Sequence, residues 1–179
     1  MKRSSAVTRP AASPVPAELA RAPRTANVVA LAILMVSWRW RRLGRVLFVL
    51  LFLWAAQLNF RLALTRPEAY LEYARWAVDP YRRFILGPFA RHTGPVVAAI
   101  AAGQLAVAVL AALAGRAVRL GLLGAVVFLL AIAPLGRGSA FPFSLIASVA
   151  ALRLMWQPFQ VTLAGELRDW FRRRARHSH

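Results

Sequence analysis

A chain of 179 residues that is 59% hydrophobic, with mean hydropathy +0.52 and 24 Lys and Arg against 6 Asp and Glu, is too apolar for an ordinary soluble domain. The lack of cysteine excludes disulfides, thiol redox chemistry and cysteine-held metals or clusters. A net charge of +18 would suit nucleic acid if it lined one groove. The cations instead fall outside the long apolar runs, so they act as a topology signal and point to a membrane, with no nucleic acid as partner. The abundance of arginine and alanine suits a bacterium with a GC-rich genome.

Residues 1–25 mix Pro, Ala, Ser and Arg without apolar periodicity and read as a disordered basic arm. Residues 26–45 follow as an interfacial segment. Val28 to Val36 is apolar on every face but falls short of the ~20 residues a spanning helix needs. The stretch SWRWRRLGR then stands where small cleavage-site residues would end a signal peptide. Trp38 and Trp40 are expected at headgroup depth, with Arg39, Arg41, Arg42 and Arg45 reaching anionic lipid. A fifth, short span over residues 26–38 is the alternative.

Residues 46–157 form the membrane domain, an all-α bundle of four transmembrane helices at about 46–64, 96–114, 120–135 and 143–156. In the second, Ala98, Ala102 and Ala106 recur every four residues, the spacing that lets a neighbouring helix approach. The basic turn GRAVR makes the second and third spans antiparallel neighbours. Arg153, near the end of the fourth, is expected to snorkel. Between the first two spans, residues 65–94 form an extracytoplasmic helical segment. Thr65 and Glu68 have capping-box spacing, so a helix is expected from there to about Val78, with an apolar stripe of Tyr70, Leu71, Ala74, Ala77 and Val78. A second element over Arg82 to Leu86 breaks at Gly87 and Pro88, and the whole is expected to lie as a lid on the bundle mouth. Residues 158–179 are a basic cytoplasmic tail. With both termini in the cytoplasm, 17 Lys and Arg lie inside and seven outside, which sets the orientation.

No Asp, Glu, His or Lys occurs inside the four spans, which argues against ion-coupled transport. No catalytic set is legible, and His92, His177 and His179 have no metal-ligand spacing, so neither a metal nor a cofactor is expected. Glu68 and Glu72 share a helix face with Arg75 and read as a solvated, paired surface. Three polar residues are candidates for binding. Gln104 lies well inside the second span, where its amide either bonds a neighbouring helix or contacts a headgroup or quinone carbonyl. Gln57 and Asn59 lie at the outer end of the first span, two residues apart and so on different faces. Arg61 beside them reads as an interface anchor.

The segments RPEAYLEYARWAVDPYRRFILGP and AAGQLAVAVLAALAGRAVRLGLLGAVVFLLAIAPLG resemble the DoxX-like family of small bacterial four-helix membrane proteins, over residues 45–156. The resemblance implies a four-helix bundle and an association with respiratory or sulfur redox chemistry, as in the small subunits of thiosulfate:quinone oxidoreductase. Relatives often carry a glutamate where this chain has Gln104. The leading expectation is a non-enzymatic accessory or scaffold subunit holding a lipid, a quinone-like molecule or a protein partner. The alternatives are a membrane subunit of a quinone-linked oxidoreductase, which would need its redox centre from a partner, and a small-molecule permease or channel.

Overall fold

The computed structural model describes residues 17–139 and 141–176. All regular structure among them is helical. In chain order the elements are α1 (Ala17–Arg39), α2 (Arg41–Thr65), a 3-10 helix (Pro67–Arg75), α3 (Asp79–Phe84) running into a π-helical turn (Ile85–Phe89), α4 (Thr93–Ala112), α5 (Arg116–Ile132), a second 3-10 segment (Ala133–Ser139), α6 (Phe143–Met155) and α7 (Leu163–Arg176). Among the described residues three stretches are long and apolar enough to cross a membrane: Arg41–Thr65, Thr93–Ala112 and Arg116–Gly136. The apolar helices Asn27–Arg39 and Phe143–Met155 are shorter. At 1.5 Å per residue, 13 residues reach only about 20 Å of a hydrocarbon core about 30 Å thick.

The helices pack as a closed circuit. α2 lies along α4, α4 along α5 and α5 along α6, and α1 fills the gap between α6 and α2. Glycines set the closest approaches. A Cβ on Gly121 of α5 would stand 2.5 Å from the backbone nitrogen of Ala111 on α4, so only glycine permits this crossing. Gly44 of α2 meets Ser37 of α1 in the same way, at 2.5 Å from its Oγ and 2.7 Å from its Cα. The two helices are separated by Trp40 alone, whose extended backbone breaks the helix and folds α1 back on the first turns of α2.

Phe48, Phe52, Val118, Leu122, Leu129 and Leu154 lead the main core, joined by the alanines of α6. α6 is the most enclosed helix, with Ala147, Ala150, Ala151 and Leu154 fully buried between α5 and α1. A second core under Ala74, Ile85, Phe89 and Val97 seats the segment between α2 and α4 across one end of the bundle. Val78 N donates to Pro134 O at 3.1 Å and Tyr81 Oη to Ala131 O at 2.9 Å, which ties that segment to the end of α5. It caps this end of the bundle.

Four expectations need correction. Residues 17–25 of the arm are helical, because α1 starts at Ala17 and continues the apolar helix backwards; residues 1–16, like 177–179 of the tail, lie outside the described residues. The segment 26–45 is not one interfacial element. Ala30, Ile33 and Ser37, on one face of α1, are buried against the bundle, and the outward Val28, Val29, Leu31 and Met35 leave residues 28–36 no polar face to show water. The Thr65–Glu68 capping box does not form: Thr65 ends α2, its Oγ1 donates to Arg61 O at 2.9 Å, and the following turn is 3-10 with Arg66 as its uncapped start. Finally, Ala102 and Ala106 face outward, and the inner face of α4 is Val97, Ala101, Gln104, Ala108 and Ala111. α4 is apolar all round, and the face carrying the amide turned inward.

Candidate functional site

Of the three candidate binding residues, two meet. Asn59 on α2 and Gln104 on α4 face each other because the helices run antiparallel, with Arg45 beside Ala111 at one end and Ala63 beside Gly94 at the other. Asn59 Nδ2 donates to Gln104 Oε1 at 2.7 Å, and Tyr70 Oη donates to Asn59 Oδ1 at 2.5 Å. The result is a one-way chain of donors from the capping segment into the bundle. Gln104 is only 3% exposed, so its carbonyl would be an orphan in the core without Asn59. Gln57, two residues before Asn59, points outward and takes no part. Tyr70 was legible only as part of an apolar stripe, since the spacing gave no sign that its hydroxyl would reach α2. Burial, and secondarily the neighbouring Tyr73, pushes the Tyr70 phenol up to about 12; burial also raises Tyr73. The relay therefore keeps its donor proton at any physiological pH.

The opposite end is built around Arg45. Its side chain is fully buried and does not reach lipid, which corrects the anchoring role expected for it. The guanidinium gathers carbonyls that the end of α4 leaves unpaired: Nε donates to Ala111 O at 2.8 Å and one terminal nitrogen to Leu113 O. The other terminal nitrogen donates to Val161 O at 3.0 Å and lies 3.7 Å from Glu166 Oε2 on α7. The guanidinium also stands 4.8 Å from the Phe159 ring centre. One residue thus joins α2, the end of α4 and the start of α7. Sequence periodicity could not separate Arg45 from its neighbours, because the carbonyls it serves are 66 to 116 residues away.

The other anchoring candidates do surround that end. Trp38 and Trp40 are 68% and 55% exposed, and Arg39, Arg41 and Arg42 are exposed beside them. Arg39 stacks over Trp40 at 5.6 Å, while Arg41 donates to Pro158 O at 3.3 Å. Arg153 does not extend freely to water. Its guanidinium lies 5.4 Å from the Trp38 ring and holds α1 to α6. On the far cap, Glu72 and Arg75 pair at 3.3 Å on an exposed face, as their spacing implied. Among the described residues no group of three or more His, Asp or Glu is placed to hold a metal ion.

Comparison with family models, curated proteins and solved structures gives no match, so the reading of these sites rests on their own geometry.

Proposed function

We propose that the protein is an integral membrane scaffold of the DoxX-like kind, an accessory subunit of a bacterial inner membrane with no catalysis of its own. The observation that carries this reading is the outer surface. Leu50, Trp54, Phe60, Leu105, Val109, Leu120, Val127 and Val149 are all exposed, on α2, α4, α5 and α6 alike. A water-soluble bundle could not leave such a belt uncovered, whereas a bilayer covers it. Asn59, Gln104, Tyr70 and Arg45 are taken up by contacts between elements, the arrangement of a structural member.

In this reading α2, α4, α5 and the shorter α6 cross the membrane, and α1 is immersed beside α6, where it widens the apolar girdle of a helix too short to fill the core. The end with Arg39, Arg41, Arg42, Arg116, Arg119 and α7 faces the cytoplasm, following the arginine excess. The same excess puts the C-terminal tail there. The exposed Trp and Arg residues hold anionic lipid, and the belt or the cap receives a protein partner. Purification from native membranes with mass spectrometry of bound lipids and proteins tests the proposal. It expects anionic lipid and a reproducible partner; carbonate-extractable protein overturns it.

A further inference from the structure

We infer that the groove between the first turns of α2 and the amphipathic α7 is a binding site for one anionic phospholipid. The inference rests on the membrane reading above and assigns that reading a specific seat. The groove has a volume of about 420 Å³. Leu43 and Val46 form its α2 wall, Leu163 and Leu167 its α7 wall, and Trp40 and Trp170 stand at its margin. Its charged groups are Arg42 and Glu166. The Glu166 carboxylate already faces Arg45 at 3.7 Å, so its charge is matched within the protein. Arg42 makes no ion pair among the described residues and remains available to a phosphate. Arg168 and Arg172, exposed on α7, add to the positive field.

The apolar path continues out of the groove. Leu43, Val46, Leu50 and Leu53 follow at spacings of three and four along one face of α2, with Leu43, Leu50 and Leu53 at 49%, 56% and 40% exposure. From Leu43 to Leu53 this stripe spans about 15 Å, half of a hydrocarbon core about 30 Å thick. That is the depth of one leaflet. A phosphate at Arg42 with an acyl chain along the stripe therefore satisfies both chemistries, with the two tryptophans at the boundary where they are favoured.

Native mass spectrometry of the full chain in detergent, offered equal dioleoyl phosphatidylglycerol and dioleoyl phosphatidylcholine, tests the site. One phosphatidylglycerol should be held in preference. Arg42→Gln should weaken that retention about fivefold, the worth of one basic residue at an anionic surface. Arg42→Lys should keep most of it, and the double change Arg82→Gln, Arg83→Gln at the other end should leave it unchanged. Equal retention of the two lipids, undiminished retention in Arg42→Gln, or equal loss in the distal double variant overturns the site. Carbonate extraction of the same proteins separates the outcomes, since a membrane-integral chain with no Arg42 effect removes the groove and leaves the scaffold reading standing.

Discussion

Arg45 and Arg42 lie three residues apart in one basic cluster and have opposite fates. Arg45 is enclosed among the carbonyls of Ala111, Leu113 and Val161, whereas Arg42 is exposed. Removing a buried guanidinium strands those carbonyls and the Glu166 carboxylate together, so Arg45→Ala should cost about 3 kcal/mol or more. Arg42→Gln should change stability by no more than about 0.5 kcal/mol. Thermal unfolding in detergent distinguishes them, and equal effects would contradict the assignment. Gln104→Leu should cost about 1 kcal/mol by orphaning Asn59, and Gln57→Leu almost nothing. The sequence could name Gln104 as the one strongly polar residue deep in its span, and it could separate Gln57 from Asn59 by their spacing. It could not rank the arginines, because burial of Arg45 depends on chain ends brought together from three helices.

At the scale of elements, the helices were legible and their facing was not. Apolar runs located α2, α4, α5 and α6, because length and hydropathy alone define a candidate span. Facing depends on which side of a uniformly apolar helix meets a neighbour, and in α4 regular alanine spacing pointed to the wrong side. Glycine contacts now make facing testable. Gly121→Ala should destabilise by about 1 to 3 kcal/mol through overpacking against α4. Gly103→Ala, with nothing within 4 Å of the added carbon, should be neutral or slightly stabilising. Similar unfolding midpoints for the two variants would contradict the α4–α5 crossing. The cap carries a pH signature. Tyr70 ionises at about 12 when folded against an ordinary 10.0. Between those values the unfolded chain loses the proton first, so the stability contribution is complete below about pH 10 and falls as pH rises toward 12. Tyr70→Phe should flatten that decline in a denaturation series over the same range; an unchanged slope would place the hydroxyl outside the relay.

For the whole molecule, exposed apolar residues on α1, α2, α4, α5 and α6 around a buried polar relay support the proposed membrane setting. Its two ends differ in construction. One is closed by a tethered cap, and the other by an arginine-held junction bordered by exposed Trp and Arg residues. That asymmetry, with the charge excess, supports the proposed orientation, and the absence of native cysteine makes it directly testable. Single cysteines at Ala69 on the cap and Ala164 on α7 both stand at exposed positions. In intact cells an impermeant maleimide should label the Ala69→Cys protein and spare the Ala164→Cys protein until the membrane is permeabilised. Labelling of both before permeabilisation, or of Ala164→Cys alone, would contradict the account.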